Sequence, residues 1–219
     1  MTPATRSPLS AFENFFTPLV SDAMDRLGFA SHVLPRDIQS IPFDPSRKIV
    51  GLAYPCRVIP TKEYVEIDTL LEMVDSIPSG AFVAVAADED IDAALWGGLM
   101  STRAKARGAV AAVVSGGIRD FEQIDRLDFP VFGAYRCIKD IRRRGYMAEY
   151  NTTIHIGSVA IKPNDIIFGD ANGVIVIPRE HFAEVYAELT NSLEGERKTA
   201  SGLLEGREAR ELFSKFETF

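Results

Sequence analysis

The sequence predicts a single domain in which helices and strands alternate, of the α/β or α+β class. The chain has 219 residues, a length that suits one domain with a small helical addition. Hydrophobic residues make up 46% and charged residues 25%, which is typical of a globular protein that buries its own core. Segments with helical spacing and short apolar segments follow one another along the chain, with no internal repeat.

Turn residues and apolar spacing delimit the elements of the first half. Residues 1–9 are expected to form a disordered tail. Thr17-Pro18 predicts the start of a helix, and Gly28 predicts its end. Further predictions are an extended segment over 48–59 broken at Pro55, a helix over 64–74, a strand over 81–87 and a helix over 92–107.

The second half is predicted in the same way. Expected elements are a strand over 109–114, a tight turn over 115–117, a short helix over 119–127, a strand over 129–132, one or two strands within 146–161, and short strands over 166–168 and 174–177. Pro178 opens a helical region with interruptions near Gly195 and Gly202. We therefore divide the chain into an α/β domain over 10–178 and a C-terminal helical extension over 179–219, which we expect to pack on a neighbouring subunit.

Composition excludes several classes of protein. The net charge is −7, and the three arginines over 142–144 are more typical of a solvated rim than of a phosphate clamp, so no nucleic-acid partner is expected. Cys56 and Cys137 stand apart without metal-ligand spacing, as reduced thiols do. The N-terminus lacks a signal-peptide pattern, and the apolar run over 81–87 is far shorter than the roughly 20 residues that span a bilayer. We expect a cytoplasmic protein without a membrane partner.

The motifs with the most specific chemistry are missing. The sequence has no GxGxxG, no P-loop and no GxSxG. His32, His155 and His181 are scattered, which argues against a structural zinc site.

Two glycine-bearing segments carry the remaining chemistry. Trp96-Gly97-Gly98-Leu99-Met100 either interrupts a helix or begins one. If a helix begins there, its free N–H groups suit a carboxylate, and the alternative is tight packing of a helix against a strand.

The segment from Ser115 to Asp120 follows a buried strand, and ligands gather at strand ends in α/β folds. Arg119 can bind a carboxylate or an enolate oxygen, and Asp120 is a hard oxygen ligand for Mg²⁺ or Mn²⁺. The alternative is an aspartate at a helix start beside a surface arginine.

These segments resemble the RraA-like family, whose catalytic branch contains the 4-hydroxy-4-methyl-2-oxoglutarate/4-carboxy-4-hydroxy-2-oxoadipate aldolases, which are class II pyruvate aldolases. The resemblance rests on WGGLMSTRAKARG followed by VVSGGIRD. It extends upstream to VSDAMDRLG and GLA, and downstream to PND and to GD followed by GVIVIP. The order and spacing of these pieces together carry the assignment.

The resemblance implies a swivelling α-β-β-α sandwich that assembles as a trimer or hexamer with active sites between subunits. It implies that the backbone of Gly97, Gly98, Leu99 and Met100 binds the carboxylate of a small 2-oxo acid. Arg119 would contact the substrate, and Asp120 would bind the divalent metal, Mg²⁺ or Mn²⁺. A glutamate from the neighbour's C-terminal helix would complete the catalytic set; the best match is Glu196, with Glu194 as the alternative.

The sequence departs from this family at two positions. Many aldolases of the family have an acid where this chain has Gly98, and Ser115 replaces the leading aspartate of D-G-x-x-R-D. We expect a metal-dependent lyase that cleaves a C–C bond of a 2-oxo acid through a pyruvate enolate, by retro-aldol cleavage and by oxaloacetate decarboxylation. The alternatives are a non-catalytic regulator that acts by protein contact, and a metal enzyme diverged to another lyase reaction. Asp120 favours the metal enzyme, because the regulator branch typically lacks it.

Overall fold

A computed structural model describes residues 8–29, 32–41, 44, 46–88 and 91–216. The tail predicted over 1–9 lies outside the described residues, apart from Pro8 and Leu9. These two residues begin a 3₁₀ helix over Pro8–Asn14.

The first half contains three helices and five strands within the described ranges. In chain order they are α1 (Thr17–Arg26), β1 (Gln39–Ile41), β2 (Ile49–Pro60), α2 (Asp68–Ser76), β3 (Ala81–Ala87), β4 (Ala94–Trp96), α3 (Gly98–Arg107) and β5 (Ala111–Ile118). As predicted, α1 ends before Gly28 and α3 before Gly108, and both glycines have positive φ.

The second half supplies three further helices and six further strands to the described chain. They are α4 (Phe121–Arg126), β6 (Val131–Arg136), β7 (Gly145–Tyr150), β8 (Ile154–Ile156), β9 (Val159–Ile161), β10 (Ile166–Asp170), β11 (Gly173–Ile177), α5 (Phe182–Leu204) and α6 (Ala209–Phe216). A 3₁₀ turn over Arg179–His181 precedes α5.

Nine of these strands form one curled sheet in the order β1-β6-β5-β3-β2-β10-β11, with β4 added at β5 and β7 at β2. Strands β2, β3, β5 and β6 run parallel, and β10 and β11 are antiparallel. The segment before β1 bridges to β11 through Val33 and Ile175, so the sheet nearly closes on itself. The predicted mixed α/β class with C-terminal helices is confirmed.

Three apolar clusters hold these layers together. One lies between the parallel strands and helices α2, α3 and α4, and includes Met73, Val85 and Ile124. A second lies on the opposite face of the same strands, covered by the β8–β9 hairpin. In the third, the N-terminal helices and the first half of α5 pack on the outer face of β10 and β11. Each large apolar side chain buried in this way stabilises the fold by roughly 1.5–3 kcal/mol.

The predicted break at Pro55 is wrong, because β2 runs through it without interruption. The partner strand on one side of β2 changes at this point. β10 pairs with β2 up to Leu52, and β7 pairs with it from Cys56 onward. Pro55 falls between the two ladders, where its missing N–H leaves no hydrogen bond unmade.

The single helix predicted over 92–107 is also wrong. The structure has strand β4, then Gly97, then helix α3. Ala94, Leu95 and Trp96 are all buried, and an apolar run that short has no periodicity to distinguish a strand from a helix. Of the two interpretations of the glycine pair, the one in which a helix begins there is confirmed.

Two glycine-based predictions fail for a common reason, which is close packing. The predicted turn over 115–117 is part of strand β5, where a Cβ on Gly117 would lie 2.6 Å from Cβ of Cys137. Helix α5 continues through Gly195 and Gly202, and a Cβ on Gly202 would lie 2.5 Å from Leu212 of α6. Gly117 and Gly202 admit a neighbouring element instead of ending their own.

Helix α5 packs against its own chain through Val185 and Leu189, whereas Leu204 at its end is 91% exposed. Packing of the extension on a second subunit remains a prediction. Within the described ranges, no helix combines the length and the apolar character required to cross a membrane.

Candidate active site

The sheet places Arg119 and Asp120 directly after β5, beside the end of β4. The Arg119 amide donates a hydrogen bond to the carbonyl of Trp96 at 3.1 Å, which ties the two strand ends together. Asp120 has φ 61° and ψ 40°, in the left-handed region. Aspartate and asparagine tolerate this conformation better than most residues with a side chain. The kink turns the chain sharply from β5 into α4.

The carboxylate of Asp120 faces the N-terminus of α3. Its Oδ2 accepts a hydrogen bond from the Gly98 amide at 3.0 Å. A Cβ on Gly97 would lie only 2.7 Å from the same oxygen, so the close approach requires bare backbone at Gly97. The positive end of the helix dipole adds electrostatic stabilisation to a carboxylate in this position.

The first turn of α3 is fixed from within. The indole Nε1 of Trp96 donates to Oγ of Ser101 at 2.8 Å, and that hydroxyl donates to the Gly97 carbonyl at 3.1 Å. The amides of Leu99 and Met100 lie in this first turn, where the helix itself supplies no acceptor. Next to Asp120, the turn therefore offers N–H groups to an anion, as the sequence predicts.

Arg119 is held by two carboxylates. Its Nη1 donates to Oδ2 of Asp140 at 3.1 Å, and its Nε lies 3.5 Å from Oδ2 of Asp120. Asp140 also accepts hydrogen bonds from Nε of Arg142 at 2.8 Å and from the Arg142 amide at 2.9 Å. These bonds, led by the one from the Arg142 side chain, lower the pKa of Asp140 to about 2. Asp140 is therefore an ionised anchor for Arg119 at neutral pH.

Gln123 occupies the space beside Gly98. A Cβ on Gly98 would lie 2.0 Å from Oε1 of Gln123 and 3.0 Å from its Cβ. An acid at this position, which the family resemblance leads us to expect, would begin where the Gln123 side chain now lies. The departure at Gly98 is thus accompanied by a filled volume.

Arg119, Asp120 and the first turn of α3 open into a cavity of about 470 Å³. Asp140 and Arg142 also line it, as do Asp75 and Arg103. The rest of the wall is mainly apolar and comes from α2, β4 and α3; it includes Ile67, Leu70, Leu71, Val74, Leu95 and Met100. A concave apolar site with a few convergent polar groups is typical of a small-molecule site.

The number of side chains that could ligate a metal limits the kind of metal site that this cavity can form. No cluster of three or more His, Cys, Asp or Glu side chains in the described ranges could hold an ion. The Asp120 side chain is 38% exposed and faces the cavity. Mg²⁺ commonly uses one or two carboxylates together with substrate oxygens and several waters. One exposed carboxylate fits an open site of that kind, and it does not fit a closed protein cage.

Ser115 lies outside the cavity of Arg119 and Asp120. It lines a second, polar cavity of about 1020 Å³ together with Arg57, Asp88, Glu149 and His155. Its Oγ accepts a hydrogen bond from the Ala87 amide at 3.1 Å. The replacement of an acid at this position therefore removes no charge from the cavity of Arg119 and Asp120.

The two C-terminal glutamates do not line that cavity within one chain. Glu196 is partly buried on the face of α5 that carries Ser192 and Thr199, and its Oε2 has no hydrogen-bond partner among the described residues. Glu194 is exposed and pairs with Lys198 at 2.5 Å. Participation of either glutamate in a neighbour's site remains a prediction.

Two parts of the site could not be predicted from the sequence. Asp140 follows Arg119 by 21 positions in an irregular segment, and no local pattern links the two. The apolar wall on α2 does show helical spacing in the sequence, but the same spacing is expected of any helix that packs on a sheet.

Comparison with protein families finds a match to the RraA-like family, described as aldolase/RraA, over residues 17–176. The chain is 34% identical over 152 residues to an uncharacterized protein of Methanocaldococcus jannaschii, covering 69% of this chain and 73% of the relative. It is 30% identical over 171 residues to a candidate 4-hydroxy-4-methyl-2-oxoglutarate aldolase of Halalkalibacterium halodurans, covering 78% and 76%. A match of 32% identity over 169 residues to protein DlpA of Legionella pneumophila covers 76% of this chain but only 26% of that longer protein.

Solved structures agree with the fold. A protein described as a novel cellulase from gut-associated microbes superimposes with a TM-score of 0.83 at 33% identity, covering 90% of this chain and 89% of the other. An uncharacterized Pseudomonas syringae protein gives 0.82 at 25% identity, covering 97% and 99%. RraAS2 of Streptomyces coelicolor, from the RNase ES inhibitor RraA family, gives 0.76 at 18% identity, covering 89% and 96%. The last likeness concerns the fold alone.

Proposed function

The chain belongs to the RraA-like family, and on that premise we propose that it is a divalent-metal-dependent lyase. The reaction is cleavage of a C–C bond in a small 2-oxo acid, as in class II pyruvate aldolases. In a retro-aldol cleavage the 4-hydroxyl loses its proton, the C3–C4 bond breaks and an aldehyde or ketone leaves. The electron pair of that bond forms the pyruvate enolate, which is then protonated at C3. Decarboxylation of oxaloacetate gives the same enolate and CO₂.

One observation carries this proposal. Arg119, the carboxylate of Asp120 and the first turn of α3 meet at one end of a single cavity, with Oδ2 of Asp120 fixed 3.0 Å from the Gly98 amide. A substrate carboxylate fits the amides of Leu99 and Met100. The guanidinium of Arg119, held by Asp140, lies beside the place where the enolate oxygen develops charge. A preorganised donor of this kind commonly contributes about 10²–10³ in rate.

Asp120 is the residue that would hold Mg²⁺ or Mn²⁺. When bound, such an ion supplies Lewis-acid polarisation of the 2-oxo group. Names of relatives such as the Halalkalibacterium halodurans protein support an aldolase. Gly98 departs from the acid expected from the family, and Gln123 fills the space beside it. A related lyase reaction with a different substrate is therefore the second candidate.

We also propose that the working enzyme is a cytoplasmic homo-oligomer, a trimer or hexamer. Leu99 beside the cavity is 83% exposed, and Leu204 and Phe213 are exposed on the C-terminal helices. Contact between such surfaces would bring α5 of one copy towards the cavity of another. Glu196 of the second copy is the candidate that would assist proton transfer at C3.

Oxaloacetate decarboxylation with Mg²⁺ or Mn²⁺ tests the lyase. The controls are the protein with an added metal chelator and the metal ion without protein. Asp120→Asn is the informative variant, because asparagine tolerates the left-handed backbone and removes only the charge. Its matched control is Asp125→Asn, at an exposed position on α4. We expect Asp120→Asn to abolish metal-dependent turnover and Asp125→Asn to retain it.

Equal activity in the two variants would contradict the metal assignment. Absence of turnover of every 2-oxo acid, with and without either ion, would contradict the lyase. That second result would favour a non-catalytic regulator that acts by protein contact.

A further inference from the structure

The lining of the cavity combines a polar cluster with a set of apolar side chains. Its polar end contains Arg119, Asp120 and the amides of α3, and these groups account for a 2-oxo acid head. The body of the cavity is lined by Leu70, Leu71 and Val74 of α2 and by Met100 of α3. Its volume of about 470 Å³ exceeds what a pyruvate-sized molecule fills, since typical ligand sites for drug-sized molecules begin at roughly 300 Å³.

The cations along this wall are already paired. Nε of Arg103 lies 2.6 Å from Oδ1 of Asp75, and Nε of Arg142 lies 2.8 Å from Oδ1 of Asp140. Together with Arg119 and Asp120, the lining holds three arginines and three aspartates. A second substrate carboxylate would therefore meet no excess positive charge, and it would lose water against apolar side chains.

The apolar wall is open to a ligand. Leu71 on α2 is 47% exposed and Ile67, just before α2, is 39% exposed, although the helix also packs into the core through Met73. Covering such side chains with an apolar group gains about 25 cal/mol per Å² of surface removed from water. This wall is continuous with the polar end of the same cavity.

We infer that the physiological substrate carries an uncharged alkyl or aryl group at the end remote from its 2-oxo acid head. Leu70, Leu71, Val74 and Met100 hold that group and determine specificity. This inference rests on the proposed lyase function. The substrate class is a 4-hydroxy-2-oxo acid, R–CH(OH)–CH₂–CO–COO⁻, whose cleavage gives R–CHO and pyruvate.

The test compares 4-hydroxy-2-oxo acids in which R is isopropyl, phenyl or carboxylate. Proton exchange at C3 of pyruvate, followed by NMR in D₂O, measures enolate formation independently of R. We expect kcat/KM for the apolar substrates to exceed that for the carboxylate substrate at least about tenfold, because a desolvated carboxylate without a partner is strongly disfavoured. In Leu71→Arg this preference should fall about tenfold or more, whereas Val33→Arg, at an exposed position that does not line this cavity, should retain it.

The outcomes separate the two claims. Pyruvate exchange together with a preference for the carboxylate substrate would overturn this inference and leave the lyase intact. An unchanged preference in Leu71→Arg, with loss of the oligomer in gel filtration, would overturn it in favour of a subunit contact at this wall. Absence of both exchange and cleavage would overturn the proposed function, and this inference with it.

Discussion

The amide of Gly98 donates a 3.0 Å hydrogen bond to Oδ2 of Asp120, across 22 positions of the chain. This bond joins the start of α3 to the kink that follows β5. It fixes one carboxylate oxygen of a side chain that lines the cavity. The same residue pair therefore links the local backbone of both segments to the geometry of the candidate site.

Gly97 should be indispensable for this arrangement. An alanine Cβ at Gly97 would lie 2.7 Å from Oδ2 of Asp120, although the extended backbone at this position suits any residue. Displacement of Asp120 by the order of 1 Å commonly costs about 10² in rate. We expect Gly97→Ala to lose about that factor in kcat/KM for oxaloacetate while it remains folded.

Gly169→Ala is the matched control for that variant. Its Cβ would meet the Phe132 ring at 2.8 Å, and neither residue lines the cavity. Comparable activity in the two alanine variants would show that the approach of Asp120 to Gly97 has no catalytic importance.

Asp140 should act as a positioning residue for Arg119. Asp140→Asn removes the charge that holds Nη1 of Arg119 at 3.1 Å, so the guanidinium loses its fixed orientation. We expect kcat/KM to fall about tenfold, mainly through kcat, because a mobile guanidinium stabilises the developing charge less well. Steady-state kinetics on oxaloacetate measure this change. Asp140→Glu, which can still pair with Arg119, should recover part of it, and no recovery would contradict a positioning role.

The sequence contained enough information for the polar end of the site but not for the rest. Gly97, Gly98, Arg119 and Asp120 are recognisable because strand ends and glycine pairs have local signatures. Asp140 has none, since its role depends on where an irregular segment returns to the sheet. Some features of the fold are predictable in the same local way. The helix ends at Gly28 and Gly108 follow from the positive φ of each glycine alone.

Errors in the predicted elements arise where tertiary packing determines the outcome. Gly117 and Gly202 lie inside regular elements because a neighbouring side chain occupies the space of their missing Cβ. Pro55 lies inside a strand because two partner strands meet beside it. None of these circumstances can be deduced from a window of neighbouring residues.

Acid should weaken the contribution of Asp140 to stability. Its pKa is lowered to about 2, chiefly by the hydrogen bond from Arg142, against an ordinary value of 3.8. Because the folded pKa lies below the unfolded one, the stabilisation is complete above about pH 4 and is lost as the pH falls towards about 2. The side chain is 33% exposed, so solvent screening limits the effect to about 1 kcal/mol.

Urea unfolding at several pH values between 5 and 2.5 tests this dependence. We expect the stability difference between the wild type and Asp140→Asn to shrink as the pH falls. A difference that stays constant or grows on acidification would contradict the assigned direction of the pKa shift.

Asp170 should be a stability residue without a catalytic role. It is 5% exposed, and it accepts hydrogen bonds from the amide and hydroxyl of Thr17 at 2.8 and 2.7 Å and from the Asn172 amide at 2.8 Å. These bonds attach the start of α1 to the β10–β11 hairpin. Asp170→Ala leaves the buried Thr17 groups without an acceptor, so we expect a loss of about 2–4 kcal/mol in the free energy of unfolding. Asp22→Ala, at an exposed position on the same helix, should change it by no more than about 0.5 kcal/mol. Chemical denaturation of both variants measures the difference, and a loss below about 1 kcal/mol in Asp170→Ala would show that water replaces the lost acceptor.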